Sequence, residues 1–113
     1  MDANPFERYP VAKSLYTDLK ERLSEVGQFK EELKQTSAHL VVGKGAFIGV
    51  HPRSNLIVVN VVLSSPIESE RVAKCEQVSK TRFHNEVKVQ LSEEIDEELI
   101  GWIREAYQLK AGA

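Results

Sequence analysis

Two segments of this chain carry their apolar residues in contrasting patterns. Residues 55–63 (NLIVVNVVL) are apolar on both parities, as expected of a strand covered on both faces. Residues 84–91 (HNEVKVQL) alternate instead, with Asn85, Val87, Val89 and Leu91 on one side and His84, Glu86, Lys88 and Gln90 on the other. A sheet containing both has a buried centre and one partly open, charged face, and that face is where a ligand could reach it.

The remaining elements follow by the same reading. Val11, Leu15, Leu19, Leu23 and Val26 recur at three- and four-residue spacing, which predicts a helix over 11–29 behind Pro10. The charged stretch 30–35 either extends this helix beyond Gly27 or forms a bent second piece. Residues 36–42 read as a strand ending at Gly43-Lys44-Gly45, and 46–51 as a short strand. Pro52, Arg53, Ser54 and Asn55 supply a hairpin turn into the apolar strand. Residues 71–79 fit either an irregular strand or a turn of helix. At the C-terminal end Ser92 is a candidate cap, and Glu93, Glu94 and Asp96 suit the first turn of a helix. Ile95, Leu99, Trp102, Ile103, Ala106 and Tyr107 form its apolar stripe, and Gly101 within it suggests a close packing contact. The expected fold class is α+β: a mainly antiparallel sheet of four to five strands, with N- and C-terminal helices packed on one face. Residues 1–9 read as an N-terminal arm, 110–113 as a frayed tail, and 1–113 as one domain.

Composition narrows the picture. With 113 residues, 42% hydrophobic and 28% charged, the chain matches an ordinary globular domain with one core. No apolar run approaches the roughly 18 residues of a spanning helix, and the acidic N-terminus lacks a signal-peptide pattern, so a cytoplasmic protein without a membrane partner is expected. The single cysteine, Cys75, excludes an internal disulfide and multi-cysteine zinc sites, and buried filler is its expected role. Net charge is −2, but residues 36–91 hold seven Lys/Arg against four Glu, together with all three histidines. The flanks carry the acidic excess. A mildly basic sheet between acidic helices admits an anion-binding face, while a pI near 5.9 argues against a strong non-specific nucleic-acid binder.

The segments LYTDLKERL, GKGAFIGVHPRSNLIVVNV, KTRFHNEVKVQL and EELIGWIREAY together resemble a small domain family labelled "predicted transport protein" (domain of unknown function 5655). The likeness runs from about Val11 to Leu109. In that family the module occurs alone or at the C-terminus of restriction-endonuclease-like proteins, so the resemblance implies a nucleic-acid-related role and association with a nuclease-type partner. The chain departs from the family where many relatives carry a glycine-bearing turn, reading Lys80-Thr81-Arg82-Phe83-His84.

That last segment holds the leading candidate chemistry. Arg82 and Lys80 offer charge-assisted donors to phosphate or carboxylate, and His84 adds a donor or acceptor. If Phe47 and His51 share the face of His84, an aromatic and several cations converge as in a site that stacks a base and holds a phosphate. Lys44, Arg53 and Lys88 complete the expected ligand-binding set. The alternative is that Phe83 anchors the core and Arg82 pairs with a glutamate on a helix. Gly43-Lys44-Gly45 lacks the spacing of a phosphate loop and reads as a turn. His39, His51 and His84 lack local zinc spacing, so no metal or other cofactor is expected. Glu86-Val87-Lys88 matches the E-x-K end of a nuclease core but has no upstream acid to share a metal, and no serine sits in a nucleophile elbow. The expectation is a non-enzymatic binding module whose open sheet face accepts an anionic partner, with nucleic acid or nucleotide as the candidates. Its rivals are a protein-interaction or homodimerisation module and a cryptic metal-dependent nuclease.

Overall fold

A computed structural model describes residues 4–112, so expectations for residues 1–3 and 113 lie outside the described residues. Helix α1 (Pro10–Leu23) starts with proline at its first position and buries Ala12, Leu15, Tyr16, Leu19 and Leu23. It stops six residues short of the expected Phe29. The Ser24 N–H bonds Lys20 O and Arg22 O, and the Ser24 hydroxyl donates to Glu21 O, closing the last turn. The charged stretch beyond is not helix. It forms strand β1 (Lys30–Leu33), paired antiparallel with β2 (Ala38–Val42). KEEL has good helix propensity, but an edge strand needs no apolar face, and tertiary pairing overrides the local preference. Glu31 ties this edge to α1, accepting from Tyr16 Oη at 2.5 Å and Lys20 Nζ at 2.9 Å.

Strands β3 (Gly45–Pro52), β4 (Ile57–Leu63), β5 (Val72–Ser79) and β6 (Arg82–Val89) complete a six-stranded antiparallel sheet, one strand more than the upper expectation. Its order is β1-β2-β3-β4-β6-β5. The ambiguous stretch is therefore strand β5, joined to β6 by Lys80 and Thr81. After a 3₁₀ turn at Ser92–Glu94 comes helix α2 (Glu97–Lys110). Asp96, not Ser92, is its N-cap: Asp96 Oδ1 accepts from Leu99 N at 3.0 Å. Ser92 instead donates through Oγ to Asp18 of α1.

Both helices pack on the same sheet face, chiefly over β3 and β4. There Leu40, Ile48, Val50, Ile57, Val59, Val61, Val87 and Val89 meet Leu15, Leu19, Leu99, Ile103 and Ala106. Phe6, from the N-terminal arm, enters this core and stacks on Tyr16 at 4.3 Å. The opposite face of β4 is covered by no helix. Val58 and Val62 are nonetheless buried there among cross-strand neighbours His51, Lys88 and His84. Apart from its own helical turn, no described residue comes within 4 Å of where a Cβ on Gly101 would stand, so the expected close contact is absent.

Two polar groups secure the crossing from β4 to β5, which passes the end of β6. Asn85, fully buried, accepts from Ile67 N at 2.9 Å and donates to Val61 O and Ser65 O at 3.3 and 3.5 Å. Arg71 bonds Asp96, Glu98 and Glu94 O and lies over the Trp102 ring at 5.7 Å. Arg71 thus makes the arginine-to-helix pairing that the sequence offered as an alternative for Arg82. Cys75 is exposed rather than buried, because the helices do not reach across to β5.

Candidate functional site

The sheet register assembles the open face in rows. His39, Gly49, Asn60 and Glu86 lie side by side across β2, β3, β4 and β6. His51, Val58 and Lys88 form the next row on one side, and Val62 and His84 the next on the other. All three histidines therefore share this face. Because β3 carries glycine at 49, no side chain stands between His39 and Asn60, leaving a hollow of about 240 Å³.

That hollow runs toward the end of the sheet where β3 and β6 begin. Its walls include His39, Asn60 and His84, and Lys44, Arg82 and Lys110 line its lower end. The same three cations line an adjoining hollow of about 250 Å³. Local structure brings them together. Gly43 holds φ +51, a left-handed conformation suited to glycine, and the turn lets Lys44 N donate to Lys110 O at 2.8 Å. A Cβ on Gly43 would collide with that same carbonyl oxygen, so the glycine is what allows the turn to dock on the end of α2. The helix C-terminus favours positive charge. The Lys110 ammonium is held below its ordinary range by burial first, then by the charges of Arg82 and Lys44. Among the described residues none of the three makes a salt bridge. Asn60 lines the hollow, while its Oδ1 is closed off from solvent and has no hydrogen-bond partner among the described residues.

The other expected site residues do not join this cluster. Phe47 is fully buried on the helix side, edge-on to Tyr107 at 5.2 Å and to Phe29 at 6.0 Å. The β2–β3 register shifts between Leu40 and Val41, leaving Phe47 as the extra residue of a bulge. The bulge turns inward a side chain that strict alternation from Ile48 would have put on the open face. The expected aromatic platform is therefore missing. His51 and Arg53 stand at the far end of the face. Burial, followed by the charges of Arg53 and His39, depresses the His51 pKa against the opposing pull of Glu86. A neutral His51 beside the Glu86 carboxylate adds little attraction for an anion. Arg53 bonds Pro52 O and borders a separate hollow beside the N-terminal arm. Lys88 is exposed in the row of His51, and Lys80 projects from the β5–β6 turn. Among the described residues no three His, Cys, Asp or Glu side chains stand close enough to share a metal ion.

Lys110 and Asn60 were missed by the sequence reading. Lys110 looked like part of a frayed tail, and Asn60 like one polar residue in an apolar strand. Only the register and the docked turn bring them into one hollow.

The fold and its face define an α+β module with helices on one side of an antiparallel sheet and a cationic end on the other. No helix among the described residues is long and apolar enough to cross a membrane. The chain belongs to the family described as "Domain of unknown function (DUF5655)", whose profile matches residues 6–110. Comparison with curated proteins and with solved structures yields no match.

Proposed function

We propose that this protein is a non-enzymatic binding module for a phosphate-bearing ligand, a nucleotide or the end of a nucleic-acid strand. The observation that carries the reading is the convergence of Lys44, Arg82 and Lys110, free of carboxylate partners, at the mouth of a hollow on the uncovered sheet face. Gathering three like charges raises their mutual repulsion, and a bound phosphate relieves it. Arg82 supplies planar, bidentate contacts and the lysines supply point charges. His39 and His84 line the hollow and supply ring nitrogens that can bond a base edge. At about 240 Å³ the hollow falls below the roughly 300–1,000 Å³ of drug-sized pockets, which disfavours an extended cofactor.

The test is fluorescence-polarisation titration with a labelled mononucleotide and a short single-stranded oligonucleotide across a salt series. Three cations on a single strand give a slope of log K against log salt of about −2, and Arg82→Ala reduces it to about −1.4. Competition by inorganic phosphate is expected for both probes. A preference for the mononucleotide identifies the free ligand as the target, and a preference for the oligonucleotide identifies strand ends. No binding at low salt, or binding unchanged in both Arg82→Ala and Lys110→Ala, overturns the proposal.

A further inference from the structure

Strand β5 lies at one edge of the sheet, and every residue in it after Val72 is exposed. Its outer row of N–H and C=O groups is a template for another strand. The opposite edge, β1, is only four residues long and carries Lys30, Glu31 and Glu32, which blunts it.

The sequence of β5 is complementary to itself. When a second copy is laid antiparallel with Cys75 opposite Cys75, Lys74 faces Glu76 and Glu76 faces Lys74. Neighbouring registers lose this match. A shift of two residues sets Lys74 against Lys74 or Glu76 against Glu76. A shift of one turns the helix layer of the second copy to the other side of the sheet. The charged residues fall in the regular part of the strand: the register with β6 shifts only between Val72 and Lys74 and between Gln77 and Ser79. Lys74 and Glu76 pair across with Glu86 and His84, so they point to the open face, and Cys75 points to the helix side. There the helices cover β3 and β4 rather than β5, so the helix layers of two copies stay apart.

We propose that two copies of this chain join through β5 in this register, forming one continuous antiparallel sheet about a twofold axis normal to it. The pairing is isologous, so it closes at two copies, whereas β5 docking on β1 would run on into a filament. Normal to the sheet, the axis leaves both open faces on the same side.

Sedimentation velocity under reducing conditions, over a concentration series, tests this. Wild type is expected to show a concentration-dependent dimer. Lys74→Glu alone sets four carboxylates in two opposed pairs, and Glu76→Lys alone sets four ammonium groups, so each weakens dimerisation at least about tenfold. The double variant inverts every pair and restores the dimer. An equimolar mixture of the two single variants forms a mixed dimer, which separates lost pairing from lost folding. A wild-type monomer at the highest soluble concentration overturns the proposal, as does a dimer insensitive to both single substitutions. Neither outcome bears on nucleotide binding, which is read separately at Arg82.

Discussion

Replacing Asn85 by alanine removes a buried side chain that joins β6 to the crossing between β4 and β5. The amide accepts one firm hydrogen bond, from Ile67 N at 2.9 Å, and donates two longer ones to Val61 O and Ser65 O. An orphaned, partly buried N–H costs about 1–3 kcal/mol, and the loss of two weak carbonyl contacts adds roughly 1 kcal/mol. The expected loss is about 2–4 kcal/mol, a large share of the stability of a small protein. With urea slopes of about 1–3 kcal/mol per M, the midpoint falls on the order of 1–2 M at unchanged slope. Asn85→Asp separates polarity from shape. It keeps an oxygen facing Ile67 N but introduces a buried carboxyl whose folded pKa rises, so its deficit is largest at neutral pH and shrinks as pH falls toward about 4. A midpoint shift for Asn85→Ala below about 0.3 M would refute the idea that this amide holds the crossing.

Gly43→Ala is expected to destabilise the chain by at least about 1–2 kcal/mol, since it strains a left-handed turn and drives a Cβ into the Lys110 carbonyl. By separating Lys44 from Lys110 it also weakens nucleotide binding, and unaltered thermal melting and affinity would contradict the docking of the turn on α2. Acid lowers stability in two ranges. Burial depresses the His51 pKa, with help from Arg53, so the unfolded chain takes up the proton first as pH drops below about 6.5. In Glu31 and Asp96 burial pushes the pKa upward, but bonds from Tyr16 and Lys20, and from Arg71 and Leu99 N, outweigh it and leave both lowered. Their contribution is therefore full above the unfolded carboxyl range, near pH 4, and is lost as pH falls from there through the lower folded values. Urea midpoints measured from pH 7 to 3 should decline throughout, with Glu31→Gln flattening the lower part and His51→Asn the upper. A midpoint that rises on acidification contradicts both assignments.

The layered α+β plan was legible because period is a direct consequence of burial. The 3.6-residue stripe of α2 and the alternation of β6 each report which side meets the core. β1 was not legible, since an edge strand exposed on both sides has no hydrophobic period and KEEL favours helix by propensity alone. Phe47 was misplaced because a bulge changes parity, and a bulge depends on the partner strand. Arg82 and Lys44 could be proposed from residue type and turn context. Their companions Lys110 and Asn60 depended on which strand pairs with which, information spread over more than sixty positions of sequence. Arg71, read as the start of an irregular stretch, owes its role to the acidic turn of α2, which only the tertiary fold brings beside it.

The strand order, in which β6 separates β4 from β5, has a bearing on how the chain acquires its shape. Strand β4 finds one neighbour only after some twenty further residues, and the cover that α1 begins over β3 and β4 is completed only once α2 is in place. A nascent chain ending before that helix has only α1 to cover the sheet, so the larger part of the cover over β3 and β4 must wait for α2 to leave the exit tunnel. Such dependence on distant partners places refolding on the millisecond-to-second scale of strand-rich proteins rather than the microsecond scale of small helical bundles.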